Sequence, residues 1–423
     1  MAFSASKDDY WLQNGGDEFE AALALIKELG GSAVRLLDAR YLIELAENGG
    51  KLRRRQDLPE EAFVTLPQLK RMGNGPGDSL RVVVVSYPWL QPDHPDPRGE
   101  SLRLLACVLK AYIAEEGGTC GVFLDFCSLM QKGPNGEERT PAQMELFGLA
   151  LSNLSDWYSH HKTMVLKLTK MPEGYPKGFT FVEGTTPNTA DCYGRGWCFK
   201  ESSVANLVKN SYLCLDLGKL DLGKLDDAPS DEMVVSVPGM KAASSDWDGI
   251  ETQCRAGRAA PLTPEDFLAE LERKSFTSKK ADLPTVGALY KAAFTKRFGE
   301  ATALFYSGLQ WGDSEVVLLS KVLGSGALTN LSDLHLSGNQ IGDAGLTALA
   351  DSLSNGAVQI RNLDLFGNQV GDPGVSALAD ACARGALAPG AAVFLDNNNV
   401  TQAGKQAARD ATKDCDRTVC WYF

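Results

Sequence analysis

Residues 334–343 read LHLSGNQIGD, and residues 363–372 repeat this stretch as LDLFGNQVGD. Gly-Asp pairs begin at positions 312, 342 and 371, so they lie 30 and 29 residues apart. Leucines alternate at the start of both copies, as on the buried face of a strand, and the apolar residues that follow recur at helical spacing. Each copy therefore predicts a strand, a tight turn and a helix.

An asparagine occupies the turn of both copies, at Asn339 and Asn368, and Asn398 follows in a third, incomplete copy. A buried amide can satisfy backbone groups in such a turn. These features resemble leucine-rich repeats of the ribonuclease-inhibitor type, over residues 301–414. A further copy at the start lacks the asparagine, and the last copy lacks the Gly-Asp pair, so both are expected to be caps. The resemblance implies a short α/β solenoid that docks a protein partner.

The composition of the 423-residue chain argues against several classes of partner. The net charge is −12, and the longest basic run is KLRRR at 51–55, which argues against binding to nucleic acid or anionic lipid. The first residues carry no signal sequence, and no apolar run approaches the ~18 residues that span a bilayer. The ten cysteines include no CxxC pair and are expected to be reduced. We therefore expect a cytoplasmic protein, with neither nucleic acid nor membrane as a partner.

Apolar strands alternate with helices over residues 79–225. Continuous apolar strands joined by helical crossovers predict a parallel sheet that is covered on both faces. The predicted strands are 81–86, 121–126, 164–168 and 212–215, and the predicted helices are 100–116, 141–158 and 196–209. Ligands of such sheets bind beyond the carboxyl ends of the strands.

The remaining segments are predicted to be accessory to these two domains. Amphipathic patterns make residues 1–78 a helical accessory segment. Residues 226–262 are rich in Asp, Ser, Ala and Gly and predict a linker or long surface loop. Residues 263–300 are predicted to form a helical cap, because Thr263-Pro-Glu-Asp is a typical helix start. Residues 415–423 are left as a C-terminal tail.

Three short motifs follow the predicted strands or open a helix. They are Ser86-Tyr-Pro-Trp89, the stretch from Asp125 to Gln131, and Trp197-Cys-Phe-Lys-Glu201. They resemble motifs of Toll/interleukin-receptor (TIR) domains, and the first two also resemble motifs of the fungal heterokaryon-incompatibility domain, with the cysteine displaced by one position to Cys127. The resemblance implies a flavodoxin-like parallel sheet that can self-associate. It also makes Ser86, Tyr87, Trp89 and Asp125 candidate ligand-binding residues.

Each of these residues also has a purely structural interpretation. Tyr87 and Trp89 suit stacking on an adenine or nicotinamide ring and sealing of a core edge equally well. Trp197 and Glu201 lie one helical turn apart, and packing against the sheet explains them better than a ligand does. The Cys127 thiol is expected to be unreactive, because the nearby Asp125 carboxylate would raise its pKa. No cluster has convincing metal-ligand spacing, so no metal is expected.

Some TIR domains cleave NAD at the nicotinamide-ribose bond with a glutamate on the helix after the second strand, and Glu145 is the matching position. Thr140 and Gln143 form a capping box that starts this helix. A desolvated carboxylate could stabilise the positive charge that develops on the ribose, as in glycoside hydrolysis. The structural alternative is an exposed carboxylate near a helix N-terminus, where negative charge is favourable. An insertion at 132–139 departs from the family pattern, either shielding or disabling the site.

Two hypotheses about function follow. The first is a signalling protein whose TIR-like domain self-associates or cleaves NAD, attached to a leucine-rich-repeat docking platform. NAD would then be a substrate, and no cofactor is required. The second is a non-enzymatic scaffold, or a structural component of a larger assembly, in which both domains bind partners.

Overall fold

The computed structural model describes residues 7–133, 136–181, 187–221, 247–255, 257–277, 279–355, 358–413 and 419–423. The chain divides into two compact units. The N-terminal unit contains residues 1–202, 213–254 and 274–279, and the C-terminal unit contains residues 203–212, 255–273 and 280–423. The units therefore interleave along the sequence, and their boundaries differ from the predicted domain limits at 225 and 263. Most of the predicted linker lies outside the described residues.

A six-stranded mixed sheet forms the centre of the N-terminal unit. Its strands are β1 Leu36–Asp38, β2 Phe63–Val64, β3 Val82–Ser86, β4 Gly121–Phe123, β5 Met164–Lys167 and β6 Cys214–Asp216. The spatial order is β2-β1-β4-β3-β5-β6. Strands β4, β3, β5 and β6 are parallel, in the 2-1-3-4 order with which flavodoxin-like sheets begin. The predicted parallel sheet is confirmed. All five residues of β3 are buried, as expected for a strand covered on both faces.

Of the helices predicted at 100–116, 141–158 and 196–209, only the first, α5, has the predicted length. The helices of this unit are α1 Lys7–Gln13, α2 Glu20–Leu23, α3 Ala39–Glu47, α4 Leu66–Arg71, α5 Glu100–Glu116, α6 Asp125–Ser128, α7 Pro141–Ser152, α8 Leu154–Ser159, α9 Gly196–Ala205 and α10 Trp247–Arg255. The predicted helix at 141–158 is divided at Asn153 into α7 and α8. No described helix is both long and apolar enough to cross a membrane.

Residues 1–78 differ from the predicted helical segment, because they supply two strands of the sheet. Strand β1 is antiparallel to β2 and also to β4, where Leu37 pairs with Val122. Leu36 and Leu37 are fully buried. This part of the sequence therefore extends the central sheet on its β4 side instead of forming a separate element.

The C-terminal unit contains the repeats. Its strands run parallel in the order β11-β10-β9-β8-β7. The strands are β7 Ala303–Phe305, β8 Asp333–His335, β9 Ile360–Asp364, β10 Leu387–Phe394 and β11 Cys420–Tyr422, and the helices are α11 Pro264–Leu271, α12 Lys279–Glu300, α13 Asp313–Gly324, α14 Asp343–Leu353, α15 Asp372–Ala383 and α16 Gln402–Thr412. Residues 415–423 are thus more than a tail, since Cys420–Tyr422 form the fifth strand.

The turn asparagines have the predicted structural role. The Asn368 Oδ1 accepts a hydrogen bond from the Ile341 backbone N–H (3.0 Å), and its Nδ2 donates to the carbonyls of Leu336 and Leu365 (both 3.0 Å). Asn339 and Asn398 repeat this pattern one copy before and one copy after. Each side chain thus satisfies buried backbone groups of two adjacent copies, which explains its recurrence.

The Gly-Asp pairs connect consecutive copies, a role that the sequence analysis did not assign. The Asp343 Oδ1 accepts hydrogen bonds from the backbone N–H groups of Gly371 (2.7 Å) and Gly374 (3.0 Å) in the next copy. A Cβ atom at Gly374 would lie 2.7 Å from this oxygen, so only glycine fits there without a shift. The available signal was the pattern Gly-Asp-x-Gly, which begins at 342 and again at 371.

Candidate functional site

Four polar side chains lie along the carboxyl edge of the parallel strands in the N-terminal unit. Ser86, Lys167 and Asp216 are the last residues of β3, β5 and β6, and they are paired in register. Asp125 follows β4. Parallel strands end at the same edge of a sheet, and this edge is where ligands of such folds bind. Ser86, Lys167 and Asp216 are nevertheless buried.

Asp125 is held by three of its neighbours. The Tyr87 hydroxyl donates to its Oδ1 (2.9 Å), the Trp89 indole N–H to its Oδ2 (3.0 Å), and the Phe126 backbone N–H to its Oδ1 (2.6 Å). Burial raises the pKa of Asp125, and these hydrogen bonds partly oppose the shift. Three of the four predicted binding residues are therefore brought together, but their polar groups are hydrogen-bonded to one another.

Ser86 belongs to a second network, centred on Glu201. Its hydroxyl donates to the Glu201 Oε2 (2.7 Å), and both side chains are buried. Burial is the main cause that raises the pKa of Glu201, and the charge of Asp125 adds to the shift. The next residue along α9, Lys200, is fully buried, and burial lowers its pKa. Its Nζ has no hydrogen-bond partner among the described residues and lies 5.7 Å from the centre of the Tyr158 ring.

The far end of this edge is occupied by Asp216. The Tyr193 hydroxyl donates to its Oδ2 (2.8 Å), and the Thr169 hydroxyl donates to its Oδ1 (2.5 Å). Lys167 lies beside them, with its Nζ 3.4 Å from the Ser202 hydroxyl. Lys167, Asp216 and Lys200 were not among the site residues predicted from the sequence. A lysine or aspartate that ends an apolar strand was the signal for the first two.

Glu145 is exposed on α7. The capping box of Thr140 and Gln143 starts the helix as predicted. Helical spacing predicts a buried stripe of Met144, Phe147, Leu151, Leu154 and Tyr158. This prediction is wrong in part, because Met144 is 45% exposed and the buried residues of α7 are Leu146 and Ala150. The carboxylate is therefore in solvent, and the desolvation that would favour catalysis is missing.

The Cys127 thiol is buried. Its pKa is raised, although burial contributes more than the Asp125 carboxylate that the sequence analysis considered. Among the described residues, no group of three or more His, Cys, Asp or Glu side chains could hold a metal ion. The carboxyl edge is thus a set of buried polar groups whose hydrogen bonds are mostly made within the protein.

A different arrangement covers the exposed face of the repeat sheet. Strand pairing aligns one residue from each of the five strands in a single row, which we call the ring row: Phe305, His335, Asp364, Phe394 and Tyr422. Phe305 stacks on His335, with ring centres 4.8 Å apart, and Phe394 stacks on Tyr422 at 4.7 Å. Phe305 and Tyr422 are 39% and 47% exposed. In the turn after β9, Phe366 is 45% exposed, and its backbone N–H donates to the Asp364 Oδ1.

Large apolar side chains are costly to leave in water, and neighbouring exposed aromatics are typical of protein-binding surfaces. The residue that precedes each of the first four ring-row positions along its strand points inward. Leu304, Leu334, Leu363 and Val393 are fully buried. The alternation of the strands therefore places the leucines in the core and the ring row outside.

Comparison with known families supports only the repeats. A family model described as "Leucine Rich repeat" matches residues 327–350 and 360–379, which contain β8 and β9. The chain thus carries two leucine-rich repeats, and such repeats typically bind protein partners. The comparison detects neither a TIR domain nor a heterokaryon-incompatibility domain. No curated protein matches the sequence.

Proposed function

We propose that this chain is a protein-docking scaffold that binds its partner through the exposed face of the repeat sheet. The observation that carries the proposal is the ring row, which aligns four rings and one carboxylate across five parallel strands. Exposed aromatic side chains with few rotatable bonds lose little entropy on binding and dominate interface energetics.

The C-terminal unit also supplies the rigidity that a docking surface needs. The asparagine and Gly-Asp contacts fix each copy to the next through buried backbone groups. The strands that carry the ring row are thereby held before any partner arrives. A surface that is already ordered loses less free energy on binding than a flexible one does.

Site-specific photo-crosslinking in cells tests this proposal. A benzophenone amino acid placed at Phe366 should form covalent adducts with a partner, because this side chain is exposed and lies two residues from Asp364 of the ring row. The matched control is Val317 on α13, which is 41% exposed. Adducts at neither position, or equally at both, would contradict docking on the sheet face.

NAD cleavage and self-association of the N-terminal unit stay predictions. The candidate catalytic carboxylate of Glu145 is exposed, and Ser86, Tyr87 and Asp125 are hydrogen-bonded within the protein. The scaffold hypothesis explains these contacts without a substrate, since Ser86, Tyr87 and Asp125 each have a structural partner.

A further inference from the structure

The ring row is interrupted at its centre, where Asp364 stands between two pairs of stacked rings. His335 lies on the strand before Asp364, and Phe394 on the strand after it. Their backbones are therefore separated by two strand spacings, about 9.5 Å. Asp364 has a shorter side chain than either neighbour. The row thus contains a gap with an imidazole on one side, a phenyl ring on the other and a carboxylate at its floor.

The carboxylate in this gap keeps capacity to accept hydrogen bonds. The Asp364 Oδ1 accepts one from the Phe366 backbone N–H (3.0 Å). Its Oδ2 is 3.8 Å from the His335 Nδ1, which is too long for a hydrogen bond. The side chain is 24% exposed, so water or a ligand can reach it.

The surrounding charge favours a cation. Asp333 lies two residues before His335 on the same side of β8, and Asp396 lies two residues after Phe394, in the turn that follows β10. Asp333 already accepts hydrogen bonds from Ser332 and Asn362. Burial raises the pKa of Asp333, but these bonds and the nearby charges of His335 and Arg361 outweigh it, so the pKa is lowered. Asp364 is therefore the carboxylate with both a central position and an available oxygen.

We propose that the gap at Asp364 binds the guanidinium group of an arginine carried by the partner protein, an inference that rests on the docking function proposed above. A planar group between two rings occupies about 7–8 Å, at 3.5–4.0 Å per contact, and the spacing of about 9.5 Å between the two backbones accommodates it. Guanidinium stacks on aromatic faces and donates two parallel hydrogen bonds to a carboxylate. Lysine is a compact, strongly hydrated point charge and fits such a gap less well.

Peptide selection on the full chain tests this inference. A display library of random 12-residue peptides is selected on the wild-type protein, and the enriched peptides are synthesised. We expect one arginine position to be common to them. Its replacement by citrulline, a neutral group of similar shape, should weaken binding at least tenfold, and replacement by lysine should weaken it less. The substitution Asp364→Asn should weaken the arginine peptide to a similar extent and the citrulline peptide hardly at all.

The control variant is Asp380→Asn, which neutralises an exposed carboxylate on α15 and should leave binding unchanged. Peptides that depend on Phe394 but not on an arginine or on Asp364 would overturn the guanidinium site and leave sheet-face docking intact. Peptides that are insensitive to both Phe394→Ser and Asp364→Asn, or the absence of any binding peptide, would count against docking on this face as well.

Discussion

The N-terminal sheet and the repeat sheet use their polar residues in opposite ways. At the carboxyl edge of the N-terminal sheet, the Asp125 and Glu201 carboxylates are buried and accept hydrogen bonds from neighbouring side chains. On the face of the repeat sheet, Asp364 is partly exposed between two pairs of rings. The carboxylates that lie in motifs resembling a catalytic domain thus make structural contacts in the N-terminal sheet. The repeat sheet, which has no such motif, presents an accessible carboxylate.

This difference shows that short motifs are not enough to assign the function of a resembled domain to this chain. The residues Ser86, Tyr87, Trp89 and Asp125 do meet at the expected edge of the sheet. Their polar groups, however, are hydrogen-bonded within the protein, Tyr87 and Trp89 to Asp125 and Ser86 to Glu201, as is typical of buried groups. A motif can therefore be reproduced in space while its side chains have structural partners instead of a ligand.

The largest effect is expected in the turns of the repeats. Asn368→Ala would remove the partners of one buried N–H and two buried carbonyl groups. Each unsatisfied group costs about 1–3 kcal/mol, so the free energy of unfolding should fall by about 3 kcal/mol or more, measured by urea denaturation. The control Asn355→Ala changes an exposed asparagine and should shift it by less than about 0.5 kcal/mol. Equal losses would contradict the structural role.

Replacement of aspartate by asparagine can be made in both sheets, and the losses of stability compared directly. Asp125→Asn places an amide NH₂ among the donors of Tyr87, Trp89 and Phe126, and it should lower the free energy of unfolding by about 2–3 kcal/mol. Asp364→Asn keeps an oxygen for the Phe366 N–H and should cost less than about 0.5 kcal/mol. If the two variants lose similar stability in thermal or urea unfolding, the contrast between the two carboxylates is wrong.

The buried Glu201 should make stability depend on pH. Burial raises its folded-state pKa to about 8, above the ordinary value of 4.5. The folded protein then holds a proton more tightly than the unfolded chain, so this contribution is complete below pH 4.5 and is lost as pH rises through about 8. Over this range the Tm of the wild type should fall by a few °C relative to Glu201→Gln.

The titration of Glu201 can be distinguished from that of Lys200 and from that of an exposed carboxylate. The pKa of Lys200 is lowered by burial from 10.5 to about 8, so this residue alters the pH dependence mainly above that range. The exposed Glu44 on α3 provides a matched variant, Glu44→Gln, whose Tm should follow the wild-type pH profile. Parallel profiles for wild type and Glu201→Gln would show that Glu201 titrates as it does in the unfolded chain.

The smallest effect is expected at Glu145. Because this side chain is exposed, Glu145→Ala should change the free energy of unfolding by less than about 0.5 kcal/mol. Incubation with NAD should release no more nicotinamide from the wild type than from the variant, measured by chromatography at high protein concentration. Release by the wild type that disappears in Glu145→Ala would instead establish the catalytic hypothesis.

Local patterns predicted part of the fold well. The spacing of leucines and asparagines located β8, β9 and their turns, because each copy closes its hydrogen bonds with its immediate neighbours. The apolar runs likewise located β3 and β5. Strand β1 was missed, since Leu36–Asp38 pair with β2 and β4 at positions distant in sequence. Strand β11 was missed for a similar reason, because it is defined by its pairing with β10.

The sequence by itself determined the repeat: its period, its buried leucines and the backbone groups that its asparagines satisfy all follow from short-range spacing. Which polar residues are accessible depends, by contrast, on the tertiary structure. Burial depends on what packs against a side chain from elsewhere in the chain, and this is why Asp125 became a buried structural carboxylate. The same long-range pairing aligned Asp364 with rings from the neighbouring strands, on a face that remains open to solvent.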